Sequence, residues 1–164
     1  MIAISPQRYP KDINGYRPGR DRKGFVYDSQ AAEKAVGFFA DALVHVESSQ
    51  ANEPLILADW QADVVRTLFG WKDRRGFRRY RTCLFFVPRK QGKSTVAAGI
   101  TNYMLFCDGE AGAQCYCAAH SREQSSLLFR IASMQVRANR TLAGACKIRS
   151  SVRRIIYGDN YLHA

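Results

Sequence analysis

The sequence lacks the features that mark membrane proteins, secreted proteins and proteins held together by metal ions. No stretch reaches the about 18 to 20 apolar residues that a membrane span needs. The first residues, MIAISPQRYPKDING, lack the apolar run of a signal peptide. The five cysteines form no CxxC pair and have no paired histidines beside them, so neither a disulfide framework nor a zinc site is indicated. We therefore predict a cytoplasmic protein with reduced cysteines and no membrane contact.

Acidic residues are also few relative to basic ones, and the imbalance is local. The 164 residues contain 25 Lys and Arg against 14 Asp and Glu, which gives a net charge of +11. Residues 72–93 carry +8, whereas residues 28–71 carry −5. The basic run is interleaved with aromatic residues and would create a positive potential that attracts phosphate. The candidate nucleic-acid contacts are Arg74, Arg75, Arg78 and Arg79. A solvated loop would explain the same run, because no recognition-helix, RRM or zinc-finger pattern accompanies it.

The length fits one domain that can bury its own core. Residues 1–27 are rich in proline, glycine and charge, which predicts an irregular basic arm. Residues 28–164 are predicted to form a folded domain. In its first part, apolar residues at spacings of three and four predict a helix over residues 29–47. A second helix is predicted over residues 59–69, with Asp59 as its N-cap and a glycine after its last residue.

The rest of the chain alternates between strand and helix patterns. The apolar run at residues 82–87 predicts a strand buried on both faces, as in a parallel sheet, and residues 94–106 predict the helix that follows. A second strand is predicted over residues 113–119, and a second helix with Ser121 as its N-cap. The fold class is therefore α/β, with a parallel sheet flanked by helices. The last residues indicate two short strands joined by a turn at Gly158-Asp159-Asn160.

The turn between the first strand and its helix carries a phosphate-loop pattern. Residues 87–94 read VPRKQGKS, which matches the second half of the Walker A pattern G-x-x-x-x-G-K-[ST] but has Val87 in place of the first glycine. Backbone N–H groups at the start of the helix would point at an anion. Lys93 would reach the β- and γ-phosphates, and the Ser94 hydroxyl would complete the shell of a Mg²⁺ ion. A basic turn that caps a helix would explain the strand and the helix, but not the Gly-Lys-Ser in register with both.

The pattern predicts ATP and Mg²⁺ as cofactors. Arg89 adds a cation to the loop, where it would either be solvated or stabilise charge on a transferring phosphate in cis. Arg89 and Lys93 are therefore the candidate catalytic residues, and Ser94 is the candidate Mg²⁺ ligand. The candidate nucleotide-binding residues in the loop are Arg89, Lys90, Gln91, Gly92, Lys93, Ser94 and Thr95.

Four stretches of the sequence together resemble a known family. They are GFVYDSQAAEKAVGFFADALVHVE, LADWQADVVRTLFGW, RRGFRRYRTCLFFVPRKQGKST and DGEAGAQCYCAAHSREQSSLLF. These stretches are similar to the N-terminal ATPase region of tailed-bacteriophage terminase large subunits, the motors that package DNA into proheads. The resemblance covers about residue 24 to the end of the chain. It makes Val87 expected, since the family's Walker A commonly lacks the first glycine and has a basic residue inside the loop.

The resemblance implies further roles and partners. Trp60-Gln61 would be the adenine-recognising element, because the Gln61 amide can donate and accept at the adenine edge, although a tryptophan at this position also suits a core contact. Arg89 would be the in-loop arginine, and residues 116–120 would lead to the motif that couples nucleotide state to DNA. The implied partners are double-stranded DNA, the portal and the small terminase subunit. A homo-oligomeric ring is implied only for the full-length protein, in the cytoplasm of the host cell.

The acidic half of an ATPase site is not found in the sequence. A phosphate-loop ATPase needs an apolar strand that ends in Asp, and normally a following Glu that activates water. The nearest match ends at Asp159, but Gly158 interrupts it and Asn160 stands where a Glu is expected, so a hairpin turn is preferred. In the resembled family the Walker B strand and a nuclease domain come after this region. Residues 28–164 would therefore be the N-terminal part of a phosphate-loop ATPase domain, with an incomplete sheet.

These absences leave hydrolysis of ATP by this chain alone open. Nuclease activity is not expected, since no clustered carboxylates exist to hold two metal ions. Two other functions stay open at this point. One is a non-catalytic fragment that binds nucleic acid or a partner, and the other is a different phosphate-loop motor such as a helicase.

Overall fold

The computed structural model describes residues 24–47 and 49–164. Most of the predicted basic arm, residues 1–23, therefore lies outside the described residues. The elements in chain order are β1 (Phe25–Tyr27), α1 (Ser29–Ala42), α2 (Asp59–Gly70), β2 (Trp71–Asp73), α3 (Lys93–Phe106), β3 (Gln114–Tyr116), α4 (Arg122–Ala138), α5 (Arg140–Ala145), β4 (Lys147–Arg149), a 3₁₀ turn (Ser150–Val152), β5 (Arg154–Tyr157) and β6 (Asn160–His163). The last three residues of the predicted irregular arm thus form a strand, β1.

Helix starts follow the local capping signals. Asp28 caps α1, because its side chain accepts a hydrogen bond of 2.9 Å from the Ala31 N–H. Ser121 caps α4 as predicted, and its hydroxyl accepts from the Gln124 N–H. At α2 the prediction is one residue late, since Ala58 is the N-cap and Asp59 already lies in the first turn.

Helix α1 ends at Ala42 rather than at the predicted residue 47. Leu43 is still buried, as its place in the apolar pattern required, but its backbone is extended. Its carbonyl accepts from the Leu55 N–H at 3.0 Å, and the His45 N–H donates to the Glu53 carbonyl at 2.9 Å. The helix therefore ends early because residues 43–45 pair with a later segment of the chain.

The core has two parts, and α3 contributes to both. One cluster joins α1 and α2 to α3 through buried residues that include Phe39, Val65 and Tyr103. The other joins α3 to α4 and to the second sheet. Contact between α1 and α3 is so close that a Cβ added to Gly99 would overlap the Phe39 ring. Helix α3, which begins directly after the candidate phosphate loop, is thus held on two sides by packing.

Two buried amides bridge α3 and α4. The Asn102 side chain donates to the Ala132 carbonyl at 3.2 Å and to the Gln135 side-chain oxygen at 3.0 Å. Gln135 in turn donates to the Thr95 carbonyl at 3.4 Å. Asn102 and Gln135 are both fully buried. These hydrogen bonds, which we call the amide bridge, join the C-terminal half of α4 to α3 at Thr95 in its first turn and at Asn102 further along.

The predicted α/β fold class is confirmed, but the strand arrangement differs from the prediction. Strands β1 and β2 pair antiparallel, and the second sheet has the order β3-β6-β5-β4. Only the pair of β3 with β6 is parallel, so the second sheet is mixed. The strand predicted over residues 82–87 is wrong within the described part of the chain, where these residues belong to neither sheet. Leu84 and Phe86 are 89% and 91% exposed, whereas the prediction had buried both faces of this segment.

The predicted hairpin at the end of the described chain is confirmed. Strands β5 and β6 pair antiparallel, with Tyr157 opposite Asn160 and a two-residue loop between them. Gly158 has a φ of +55°, which two-residue hairpin turns require and glycine adopts without strain. Asp159 therefore lies in a turn and not at the end of a buried strand, which agrees with the preference for a turn over a Walker B acid. The strand β4 that completes this sheet was not predicted.

The cap of α1 gives a test of stability against pH. Asp28 is half-exposed and its carboxylate also lies 3.0 Å from the Lys72 ammonium. The hydrogen bond from the Ala31 N–H lowers the pKa of Asp28, and Lys72 lowers it further. A carboxyl whose pKa is lower in the folded state stabilises the fold above the pKa of the unfolded state, and this stabilisation is lost as the pH falls through the folded pKa.

We expect Asp28→Ala to lower the free energy of unfolding by about 1 kcal/mol at neutral pH. The difference from the wild type should stay constant above about pH 5 and shrink below about pH 4, where the carboxyl of the unfolded chain becomes protonated. Urea unfolding at a series of pH values measures this difference. Asp28→Asn is the control, since it keeps the cap and loses only the charge. A difference that grows as the pH falls would contradict the prediction.

Candidate phosphate-binding site

The loop at residues 87–92 enters helix α3 through a glycine in a left-handed conformation. Gly92 is the N-cap of α3, with a φ of +71°. A side chain at this position would be strained, and its Cβ would lie 3.2 Å from the Gln61 side-chain nitrogen. Lys90 also has a positive φ, of 66°. The glycine of the Gly-Lys-Ser pattern is therefore required by the turn and by the neighbouring Gln61.

The first turn of α3 presents backbone donors beside positive charge. The first hydrogen bond of the helix joins the Val96 N–H to the Gly92 carbonyl, so the N–H groups of residues 93–95 precede the regular helical ladder. No acidic residue lies in this turn. The loop residues Arg89 and Lys90 are exposed beside it. Such a helix start favours a bound anion, because unpaired N–H groups and the helix dipole both point toward it.

Lys93 folds back over the loop. Its ammonium donates to the Val87 carbonyl at 2.7 Å, and the side chain is half-buried. An ammonium group has three N–H donors, so this contact leaves donors for phosphate oxygens. Ser94 and Thr95 follow in the same turn and are also half-buried. The three side chains of Lys93, Ser94 and Thr95 thus lie at the start of one helix, as the sequence pattern predicted.

The structure brings Trp60 and Gln61 to this loop. The Gln61 side-chain nitrogen donates to the Gln91 carbonyl at 3.2 Å, and its oxygen accepts from the Ala58 N–H at 3.0 Å. Trp60 stacks on Phe85 with ring centroids 5.6 Å apart. Gln61 therefore joins helix α2 to the loop by a hydrogen bond. Trp60 joins the same helix, by a ring contact, to the segment that precedes the loop. One N–H of the Gln61 amide remains for a base edge, since each amide nitrogen has two.

Three of the four candidate nucleic-acid arginines in the run at residues 72–82 make contacts within the chain. Arg78 lies 3.0 Å from the Asp108 carboxylate, Arg75 pairs with Asp73, and Arg79 stacks over the rings of aromatic neighbours. Arg74 is exposed. A role of this run in contacting nucleic acid stays a prediction.

The first acidic residue that follows α3 lies far from the loop. Asp108 comes after the last residue of the helix, and a 14-residue helix is about 20 Å long. Burial raises the pKa of Asp108, while the neighbouring Arg78 lowers it. Within the residues that the structure describes, no group of three His, Cys, Asp or Glu side chains is placed to hold a metal ion. The role of Ser94 as a Mg²⁺ ligand stays a prediction.

A larger cleft of about 780 Å³ lies elsewhere in the molecule. It is bounded by α1, the basic run and the C-terminal half of α3, and its lining includes Lys34, Arg78, Tyr103 and Asp108. Burial raises the pKa of Tyr103 to about 12, so this phenol stays neutral at physiological pH. The cleft is separate from the phosphate loop, which is an open surface feature formed by backbone groups.

Taken together, the left-handed glycine cap, the folded lysine and the serine in the first helical turn indicate an α/β protein with a candidate phosphate loop. Comparison with known proteins gives the family. The model of the terminase large subunit, ATPase domain, matches residues 59–155, which is more than half of the chain. The chain belongs to this family of terminase large subunit ATPase domains.

A solved structure shows the same fold. The crystal structure of the HK97 bacteriophage large terminase matches with a TM-score of 0.67 and 21% sequence identity, over 81% of this chain and 26% of that chain. The present chain thus corresponds to about a quarter of that terminase. No curated protein sequence matches significantly. None of the helices in the described part of the chain is long and apolar enough to cross a membrane.

Proposed function

We propose that this chain is the ATP-binding N-terminal part of a viral DNA-packaging motor, a terminase large subunit. The observation that supports it best is the start of α3, where Gly92, Lys93 and Ser94 surround one set of helix N–H groups. The family match supports ATP binding as the function of this geometry, because the family consists of ATPase domains. It also favours a terminase over a helicase or a vestigial nucleic-acid-binding fragment.

The proposal assigns each loop residue a role. Lys93, which contacts the Val87 carbonyl, would bind the β- and γ-phosphates with its ammonium, and the Ser94 hydroxyl would hold Mg²⁺. Arg89, which is exposed in the loop, would neutralise charge on the γ-phosphate. Gln61 contacts the adenine edge with its remaining amide donor. Bound Mg²⁺ neutralises phosphate charge, and the chain's own groups orient the nucleotide.

The partners follow from the proposed motor. Double-stranded DNA is the substrate that is moved, and the portal and the small terminase subunit are the expected protein partners. Packaging must accept any sequence, so contacts to DNA are expected at phosphates and not at base edges. The full-length protein is expected to assemble into a ring of identical subunits.

The test is calorimetric titration of the 164-residue chain with Mg²⁺ and either ATP or ADP, followed by a steady-state assay of phosphate release. We expect saturable binding of one nucleotide per chain and essentially no turnover. The reason is that no Asp with a neighbouring Glu lies at the end of a strand near the loop within the described residues. Absence of binding would overturn the proposal. Robust hydrolysis would show that an acidic group of the chain completes the site.

A further inference from the structure

A second concentration of positive charge lies in the last third of the chain. Residues 122–154 contain eight Lys and Arg and one acidic residue, Glu123. The basic residues are separated from one another by up to eight positions, so no single stretch of sequence is conspicuously basic. Only the fold shows which of them share a surface.

Three of these arginines form a stripe along α4. Arg122, Arg130 and Arg137 are all exposed, and at 100° per residue they lie within an arc of about 80° on the helix. The last arginine of the stripe lies 15 positions after the first, which is about 22 Å at 1.5 Å per residue. That length corresponds to about six base pairs of a DNA duplex at 3.4 Å each.

The 3₁₀ turn and the residue after it extend the stripe sideways. Arg153 donates to the Arg122 carbonyl and to the Ser126 hydroxyl, and Arg137 donates to the Ser150 hydroxyl at 3.1 Å. These contacts place a second row of side chains beside the helix. We define the α4 basic surface as Arg122, Ser126, Arg130, Arg137, Ser150 and Arg153.

The α4 basic surface is open to a large ligand. A depression of about 540 Å³ lies on it and is lined by Arg122, Glu123, Ser126, Leu127 and Arg130. Arg130 pairs with Glu47 at 2.9 Å, and the two side chains are 60% and 51% exposed. An ion pair this exposed contributes little to stability. A phosphate can therefore replace Glu47 as the partner of Arg130 at little cost in free energy.

This arrangement differs from the basic run at residues 72–82. There, Arg78 lies against a carboxylate and is less than one-third exposed. Arg79 lies over the ring of Phe25 with its guanidinium 4.7 Å from the centroid. Arg78 and Arg79 thus support the fold around β1 and β2. In the α4 basic surface, Arg137 and Arg153 contact hydroxyls, Arg153 also contacts a backbone carbonyl, and Arg130 contacts one exposed carboxylate. A guanidinium has five N–H donors, so these contacts leave donors for phosphate oxygens.

We propose that the α4 basic surface binds the phosphate backbone of double-stranded DNA. Arginine and serine are side chains that contact phosphate oxygens in duplex complexes, and such contacts carry no sequence information. Its basic side chains are spread over about 22 Å of helix, which suits an extended polyanion better than a small anion. This inference rests on the proposed function, because a packaging motor requires a sequence-independent grip on duplex DNA.

The test is fluorescence anisotropy of the 164-residue chain with two 24-base-pair duplexes of unrelated sequence, over a series of salt concentrations. We expect equal affinity for the two duplexes. The double variant Arg130→Ala/Arg137→Ala should bind about 10-fold more weakly, and the slope of log K against log salt should fall by about 2, one for each lost phosphate contact.

The matched control is Arg81→Ala/Lys147→Ala, which removes the same charge from exposed positions that are not candidate nucleic-acid contacts. It should bind within about 2-fold of the wild type, since its residues lie outside the α4 basic surface. Equal weakening by both double variants would overturn the inference, because binding would then follow net charge alone. Unchanged affinity of the α4 variant, or no binding by the wild type at low salt, would also overturn it.

Nucleotide binding separates this inference from the proposed function. Calorimetry with Mg²⁺ and ATP on the α4 variant should give the wild-type affinity, since no residue of the α4 basic surface lies in the phosphate loop. DNA binding that is lost while ATP binding persists supports the inference. An effect of the α4 substitutions on both ligands would indicate damage to the fold, which circular dichroism of the variant would show, and would count against a separate DNA surface.

Discussion

Lys93→Ala is expected to weaken the binding of ATP and ADP by about 100-fold. The ammonium group lies over the phosphate loop, 2.7 Å from the Val87 carbonyl, and has donors left for a phosphate. Hydrogen bonds to charged groups contribute about 1.5 to 3 kcal/mol, and each 1.4 kcal/mol is a factor of about ten in affinity. Alanine also leaves the phosphate charge without its nearest cation.

Isothermal calorimetry measures this effect directly. Lys147→Ala is the matched control, because it makes the same chemical change at an exposed position of β4, outside the loop. The control should bind nucleotide as the wild type does. Lys93→Arg adds a second comparison, since it keeps the charge but replaces the compact ammonium with a planar fork. Tight binding retained in Lys93→Ala would remove the basis for placing the phosphates at the start of α3.

Phe39→Ala is expected to lower the free energy of unfolding by about 3 to 5 kcal/mol. Phe39 is fully buried in the cluster that joins α1 to α3. Its ring lies so close to Gly99 that no side chain fits between the two helices. Removal of the ring leaves a cavity that the packed helices cannot close completely. Domains of this size are stable by about 5 to 15 kcal/mol, so the variant would lose a large part of its stability.

Urea unfolding followed by circular dichroism measures the change. The control is Phe86→Ala, which removes the same ring from a side chain that is 91% exposed. Exposed substitutions away from special features usually change stability by less than about 0.5 kcal/mol. If Phe86→Ala lowered the free energy of unfolding as much as Phe39→Ala, the difference in burial between the two side chains would be contradicted.

Features that depend on a few neighbouring residues could be predicted from the sequence. The cap at Ser121, the turn at Gly158 and the start of the helix after Gly92 are decided by local hydrogen bonds and by glycine conformation. Features that depend on distant segments could not. Helix α1 ends at Ala42 because Leu43 pairs with Leu55, which no local pattern indicates.

Strand formation shows the same limit. The apolar run at residues 82–87 has the composition of a buried strand, but a strand needs a neighbour with which to pair, and the described residues supply none. The pairing of β1 with β2 was missed for the opposite reason. Its residues lie in stretches rich in charge, proline and glycine, and the pairing becomes visible only when Phe25 is placed beside Asp73.

The candidate site also contains both local features, which the sequence predicts, and contacts between distant residues, which it does not. The Gly-Lys-Ser of the loop is local, and its placement could be predicted from the pattern. The contact of Gln61 with Gln91 joins residues 30 positions apart and was not predicted, since the family resemblance pointed to Gln61 only as an adenine contact. The α4 basic surface was missed because residues 94–164 carry a net charge of only +4, and averaging over that length conceals the arginines that share one helix face.

The amide bridge determines how α3 and α4 can move. A shift of α4 along α3 by one helical turn, about 5.4 Å, would leave the side chains of Asn102 and Gln135 buried without partners. Each buried amide left without its hydrogen bonds costs about 1 to 3 kcal/mol. The hydrogen bonds therefore resist sliding of α4 along α3, and the two helices are expected to rotate together as a rigid pair. A displacement at the start of α3, where Gln135 holds the Thr95 carbonyl, would reach the outer face of α4 as a rotation of the whole pair.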